Sequence, residues 1–369
     1  MTASTLMRGA SIEKLEVAAY TIPTDYPEAD GTYAWKATTL VTTHVTAGGR
    51  VGFGYSYADT ASATLIRDLL ASVATGRDAM DVPGAWLAMV EAIRNLGRPG
   101  ISSMAIAAVD TALWDLKAKL LDLPLCLLLG RVREEVPIYG SGGFTSYPIE
   151  RLQEQLGGWA RQGISRVKMK IGSHPADDVA RVRAAREAIG PDTELYVDAN
   201  GAYTRVQALA QAERFAELGV VWFEEPVSSD DLEGLRFIRD HAPAGMVIAA
   251  GEYGYDHWYF RRMLDAGAVD TLQADATRCA GFTGFLRVAT LADAHGTPLS
   301  AHCAPELHLH PCTTIQRLSP IEYFHDHVRI AHMLFEGAAE PQRGVLRPDL
   351  SRPGIGLELK RADATRYAV

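Results

Sequence analysis

The chain has 369 residues, 22% of them charged and 47% hydrophobic, with a formal net charge of −9. That length suits two domains or a barrel with an attached domain, and the composition is that of an ordinary globular protein with a large core. No basic run is present, which argues against nucleic-acid binding, and no apolar run approaches the ~20 residues of a membrane span.

Cys126, Cys279, Cys303 and Cys312 are far apart and form no CxxC pair. Such spacing argues against a disulfide framework or a zinc knuckle and suits a reducing cytoplasm. The opening stretch MTASTLMRGASIEKLEVAAY has no long apolar segment, so no signal peptide is expected.

Residues 13–60 alternate apolar and polar side chains between Gly and Pro breaks, which predicts strands. Within them TDYPEADGTYAW, residues 24–35, is turn-rich and aromatic, as expected of a surface loop or lid. From Ala61 to about Asp122 the pattern turns helical, ending in the Ser-capped SSMAIAAVDTALWDLKAKLLD, 102–122. Residues 1–134 are therefore expected to form an α+β domain with lid loops.

Residues 135–335 change texture. Short apolar strands are predicted at 136–140, 166–170, 194–198, 220–224, 247–252, 271–275, 298–302 and 321–326, most of them separated by amphipathic segments. Eight such units predict an α/β fold of (β/α)8 barrel type, although an open doubly wound sheet gives the same alternation. The Pro/Gly-rich segment 336–369 breaks the pattern and is expected to pack back on the N-terminal domain.

From the second strand onward, each predicted strand closes or nearly closes on an ionisable residue: Lys170, Asp198, Glu224, Glu252, Asp275, His302 and Glu322, spaced 20 to 28 residues apart. In a barrel, the C-terminal strand ends form the face where active sites lie. Asp198, Glu224 and Glu252 fall on three consecutive strands. Converging carboxylates repel unless a cation lies between them, and an all-oxygen set suits Mg2+. Each taken alone could equally be a local salt bridge or helix cap.

Lys168 and Lys170 share one face of the second strand. His302 is expected across the barrel with Asp275 on the adjacent strand, a partner that would fix its tautomer and raise its basicity. A free lysine, near ~10.4, is a poor base at neutral pH; a second ammonium and a nearby metal are expected to lower Lys170 toward about 7–8. Singly, the lysines could snorkel to solvent and the histidine could be a core residue. Together, two bases around a Mg2+ site fit removal of the α-proton of a carboxylate substrate, giving an enediolate whose charge the metal stabilises.

ALWDLKAK (112–119), KMK (168–170), VDAN (197–200), FEEP (223–226), GE (251–252), QADATRCAGFTG (273–284) and SAHCAPELHLH (300–310) together resemble the mandelate racemase subgroup of the enolase superfamily. The resemblance implies a capping α+β domain on a modified barrel, with Mg2+ held by Asp198, Glu224 and Glu252. It implies Lys170 and the His302–Asp275 dyad as opposed acid/bases, with Lys168 tuning Lys170 and contacting the substrate carboxylate. Glu322 matches the acidic group that helps neutralise that carboxylate, with His325 and Asp326 as nearby alternatives. A symmetric homo-oligomer, often an octamer, is also implied.

The subgroup holds racemases and, in larger number, acid-sugar dehydratases that turn aldonic or aldaric acids into 2-keto-3-deoxy products. A phenyl-bearing substrate would want an apolar lid. Here the lid candidates Tyr26, Glu28, Asp30, Tyr33, Trp35, Tyr55 and Tyr57 are mixed in character, and Asn200, Tyr255, His257 and Arg278 add polar groups. An acid sugar is therefore the expected substrate, with Asn200, Tyr26, Trp35 and Tyr55 as candidate contacts. A racemase or epimerase of a 2-hydroxy acid is the alternative. A zinc hydrolase built on His302 and HLH (308–310) would want more imidazole or thiolate ligands, and a metal-free binding barrel leaves the strand-end carboxylates unexplained.

Overall fold

The computed structural model describes residues 9–369. Residues 1–8, the start of the stretch expected to carry no signal peptide, lie outside the described residues.

Strands β1 (Lys14–Ala29), β2 (Ala34–Ala47) and β3 (Arg50–Tyr57) form an antiparallel sheet. The segment 24–35, expected as a loop, is mostly a strand hairpin. β1 and β2 run through it after a register shift between Pro23 and Glu28, pairing Glu28 with Trp35. Asp30 closes the tip, its Oδ1 accepting from the backbone N–H of Thr32 at 2.6 Å and of Tyr33 at 2.7 Å. The turn residues were read correctly as a turn, but cross-strand pairing reaches further toward the tip than their composition suggests.

The helix Ile101–Leu120 lies against this sheet at close range. Gly54 permits the approach, since a Cβ there would sit 2.3 Å from the backbone N of Ala112. Buried Asp115 pins three segments: its carboxylate accepts from the backbone N–H of Phe53 and of Ile355, each at 2.7 Å, and pairs with Lys119 at 2.7 Å.

Eight parallel strands follow, each leading into a helix: β4 (Val136–Gly142), β5 (Arg166–Lys170), β6 (Glu194–Asp198), β7 (Val220–Glu224), β8 (Val247–Ala250), β9 (Thr271–Ala274), β10 (Leu299–Ala301) and β11 (Ile321–Phe324). The ladder runs β10-β9-β8-β7-β6-β5-β4-β11. Leu299 of β10 hydrogen-bonds with Arg317 and Ser319, in the approach to β11, which brings the two ends of the curled sheet together. The fold is thus a modified (β/α)8 barrel with an N-terminal cap.

Several strands stop earlier than expected. β8, β9, β10 and β11 end at Ala250, Ala274, Ala301 and Phe324, so Glu252, Asp275 and His302 project from the turns just beyond, and Glu322 lies inside its strand. The turn after β8 has a physical cause: Gly251 takes a φ of 134° with its Cα against the Gln273 carbonyl, a position no Cβ could share. Below the mouth, Tyr139, Tyr196 and Trp222 fill the barrel interior, the last two stacked at 5.0 Å. Val167, Met169, Val197 and Phe223, one residue out of phase, belong to the main apolar core.

The C-terminal segment contacts both parts of the molecule. β12 (Phe335–Glu336) pairs with β14 (Glu358–Leu359), while β13 (Val345–Leu346) adds antiparallel to barrel strand β4. Val369 donates its N–H to Ala19 of the cap at 3.1 Å. All four cysteines are free and buried, and no described helix is long and apolar enough to cross a membrane.

Candidate active site

Strand register places the charged groups. Lys170 of β5 stands opposite Asp198 of β6, which stands opposite Glu224 of β7. One layer deeper, Lys168 aligns with Tyr196 and Ser141. Lys170 Nζ lies 2.5 Å from Asp198 Oδ2. Lys168 Nζ hydrogen-bonds Glu224 Oε1 and lies 2.8 Å from Glu322 Oε1 and 3.3 Å from Asp198 Oδ2, with the Tyr139 ring 5.3 Å away. Both ammonium groups are buried.

On the far side of the carboxylate row, His302 Nδ1 lies 2.9 Å from Asp275 Oδ2. Its Nε2 faces the cluster, 3.4 Å from Glu252 Oε2 and 3.3 Å from Cys303 Sγ. Asp275 is held in turn by Thr277, whose N–H and hydroxyl each donate to Oδ1 at 2.7 Å. Arg278 braces Glu252, reaching its backbone carbonyl at 3.1 Å and its carboxylate at 3.3 Å. Glu322 accepts from the Ser141 hydroxyl at 2.6 Å and from the Cys303 N–H at 2.7 Å.

Charge balance sets the protonation. Burial disfavours the Lys168 ammonium, but Glu224, Glu322 and Asp198 overcome it and hold the lysine well above its ordinary value. Burial, the largest effect, and the charge of Lys168 both push Lys170 down, yet Asp198, Glu252 and Glu322 together outweigh them and the net shift is upward. The expected depression of Lys170 is therefore corrected: the second ammonium acts in the expected direction, but contact with Asp198 is stronger. Asp275 would rise on burial, and the His302 hydrogen bond and charge hold it below the carboxylate range instead. Glu322, buried too, is drawn down chiefly by Lys168.

Asp198, Glu224 and Glu252 present ligand atoms that lie within 4.8 Å of one another, all buried. Glu252 Oε2 has no hydrogen-bond partner among the described residues, with His302 Nε2 3.4 Å away. The donor set is oxygen-only. These features fit a hard divalent cation.

The remaining candidates divide. Asn200 lies at the mouth, its backbone N–H donating to Asp198 Oδ1 at 2.9 Å and its side-chain Oδ1 without a partner among the described residues. Trp35 faces the mouth from the hairpin: Nε1 donates to Glu28 at 2.8 Å, and the ring meets Phe144 in the cluster that contains Cys303. Tyr26 instead packs edge-on against Tyr147 at 5.3 Å, beneath Arg151. Tyr55 is buried against Phe53, Tyr57 and Phe335, which makes it a packing residue and not an open lid contact. His325 pairs with Asp25 at 3.2 Å, and Asp326 is engaged by Thr38 and Arg329, so neither competes with Glu322. The His257 ring lies tilted against Trp258, 4.6 Å between centroids. His308 and His310 accept from the backbone N–H groups of Ala276 and Cys126, which occupies the imidazoles a zinc site would need.

Sequence reasoning passed over Glu225, the second carboxylate of FEEP. Strand alternation points it away from the site, but a φ of 39° turns it back toward the mouth. The only sequence signal was its position beside a ligand candidate.

A capped parallel barrel whose mouth holds three clustered carboxylates, two lysines on one flank and an Asp–His pair on the other, defines an enolase-superfamily protein. The chain belongs to the mandelate racemase/muconate lactonizing enzyme family. The N-terminal domain model of that family matches residues 16–130, and an enolase C-terminal domain-like model matches 151–364. A mandelate racemase/muconate lactonizing enzyme-like protein from Rubrobacter xylanophilus has a crystal structure with TM-score 0.95 and 56% identity, covering 97% of this chain and 100% of that one. D-galactarolactone cycloisomerase from Agrobacterium fabrum is 33% identical over 79% of this chain and 81% of its own. L-talarate/galactarate dehydratase from Salmonella typhimurium is 32% identical over 84% of this chain and 78% of its own. The crystal structure of that dehydratase liganded with Mg and L-lyxarohydroxamate has TM-score 0.90 at 28% identity, covering all of this chain and 95% of that one.

Proposed function

We propose that the protein is a Mg2+-dependent dehydratase of an acid sugar, converting an aldonate or aldarate to its 2-keto-3-deoxy acid. The observation that carries this reading is the flanking geometry: Lys170 contacts Asp198 at one end of the carboxylate row, and His302 Nε2 contacts Glu252 at the other. Asp198, Glu224 and Glu252 would hold the cation, which when bound supplies positive charge beside the substrate carboxylate as its α-proton leaves.

The chain's own residues then divide the work. One of Lys170 and His302 takes the α-proton, and the other is placed to protonate the departing β-hydroxyl. Asp275 keeps the His302 proton on Nδ1 and Nε2 free to act. Lys168 and Glu322 form a buried pair beside the position for the substrate carboxylate. The apolar floor of Tyr139, Tyr196 and Trp222 keeps the local dielectric low, which strengthens each of these contacts. The named activities of the Salmonella and Agrobacterium relatives, on acid sugars and a sugar-acid lactone, support the substrate class.

The test is to incubate the Mg2+-loaded protein with an acid-sugar library and assay 2-keto-3-deoxy products, with α-proton exchange in D2O in parallel. Dehydration that stops on chelation is expected. Exchange or inversion with no elimination would replace the dehydratase with a racemase or epimerase.

A further inference from the structure

Two residues that should face apart meet at the base of the hairpin. Asp25 and Glu28 are three positions apart on β1, and a regular strand would send them to opposite faces. The register shift between Pro23 and Glu28 breaks that alternation. Both side chains meet His325, the first residue of the helix after β11, and the three offer ligand atoms within 4.8 Å of one another.

His325 Nε2 lies 3.2 Å from Asp25 Oδ1. An imidazole nitrogen and a carboxylate oxygen bound tetrahedrally to one Zn2+ ion are about 3.3 Å apart. A hydrogen bond accounts for that pair, but not for Glu28. Glu28 is 1% exposed; its Oε2 accepts from Trp35, and its Oε1 is buried with no partner among the described residues. The nearby guanidiniums are committed elsewhere. Arg151 reaches Asp25 Oδ2 at 3.1 Å, as an outer partner that orients a ligating carboxylate does, and Arg329 is held by Asp326 and the Pro23 carbonyl. In the metal-free protein, burial and the Asp326 charge keep a proton on Glu28, up to about 9, and a bound cation takes that proton's place. The side chains of His325 and Asp25 are 23% and 36% exposed, which gives an ion a way in and leaves room for a water ligand.

We propose that Asp25, Glu28 and His325 form a second metal site, apart from the carboxylate row, that takes one Zn2+-type ion and clips the hairpin to the barrel. Mixed oxygen and imidazole ligation favours that class of ion over Mg2+. The clip joins two functional parts: Glu28 holds Trp35 at the mouth, and His325 follows Glu322 by three residues.

The test titrates Zn2+, and Co2+ as an absorbing substitute, into the full-length protein held in excess Mg2+. One further ion per chain is expected, with the strong visible absorption of four-coordinate Co2+. His325→Ala and, separately, Asp25→Asn are expected to weaken its binding at least about a hundredfold, with Mg2+ affinity by calorimetry unchanged. At a hundredfold excess of Zn2+ over Kd, hydrogen exchange of the hairpin amides should slow about a hundredfold in the wild type and in neither variant. No binding beyond the Mg2+ site overturns the proposal. So does binding that both variants retain, which assigns the ion to the carboxylate row. Binding without slower exchange overturns the clip. None of these readouts is turnover, so the acid-sugar reading stands or falls separately.

Discussion

Lys170 and Asp198 stand directly opposite each other on β5 and β6, with Nζ 2.5 Å from Oδ2, and Lys168 one layer deeper reaches Glu224 and Glu322. Two ammonium groups on one strand face are thus matched against carboxylates from three other strands. The lysines belong to a charge lattice in which each member's state depends on the rest.

Lys168 is the centre of that lattice. Replacing it with Met leaves Glu224, Glu322 and Asp198 short of a buried counter-charge. The expected cost is roughly 3–5 kcal/mol of stability without metal. Saturating Mg2+ should restore part of the loss, because binding to the folded state alone stabilises by mass action, about 2.7 kcal/mol at a hundredfold excess over Kd. Denaturant melts with and without Mg2+ measure both, and a Met variant as stable as wild type in EDTA contradicts the scheme.

Asp275 acts through His302. Asp275→Asn keeps the size but loses the charge that sets the imidazole tautomer. Turnover should fall on the order of 10³-fold, while Mg2+ affinity stays the same, since Asp275 is not among the proposed ligands. Activity within a few-fold of wild type would remove the dyad from the mechanism.

The hairpin tip depends on Gly31. A Cβ there would sit 2.2 Å from the Ala199 carbonyl and 2.7 Å from that of Ile171, both on the barrel mouth. Gly31→Ala should lift the tip and lower kcat/KM by about tenfold or more, with global stability changed by less than ~0.5 kcal/mol. A large fall in melting temperature with kcat/KM intact would show the tip to be structural.

Glu28 supplies the pH dependence. Burial, then the nearby Asp326 charge, pushes it from 4.5 up to about 9, against the Trp35 hydrogen bond and Arg329; Asp25 adds to the rise. The folded protein keeps this proton where the unfolded chain has released it. Its contribution is complete below about 4.5 and is lost as pH rises to about 9, by at most about 1.4 kcal/mol per pH unit. Glu28→Gln cannot ionise, so its stability relative to wild type should climb across that window and level off above it. Melts from pH 5 to 10 test this, and a flat difference would place the ionisation elsewhere.

Much of the site was legible because a (β/α)8 pattern repeats. Asp198 and Glu224 close their strands at a regular interval, and such strand ends share one face of the barrel. Residues whose orientation follows simple alternation, such as Lys168 and Lys170, were placed correctly. Residues governed by a local break in alternation were not. Glu225 turns inward because its backbone is fixed between the Ala249 carbonyl, 2.9 Å from its N–H, and the Gly201 N–H, 2.8 Å from its carbonyl. Tyr55 was grouped with the lid as an aromatic side chain in a strand, yet Phe335, 280 positions later, buries it.

The sequence by itself determined the chemical inventory and its order around the barrel. Side-chain period and strand spacing are local properties, and they carry the charged groups to one face. Only the tertiary structure decided how those groups share their charge. Whether Lys170 is pulled up or down depends on the carboxylates of Asp198, Glu252 and Glu322 against the opposing effects of burial and Lys168, a balance in which strand register sets the closest contact, to Asp198. The polar cavity of about 560 Å3 lined by Thr32, Asn200, Glu225 and Tyr255 is likewise a product of assembly: the hairpin tip, the cap and the segments after β6, β7 and β8 each supply part of its wall, and no one segment contains it.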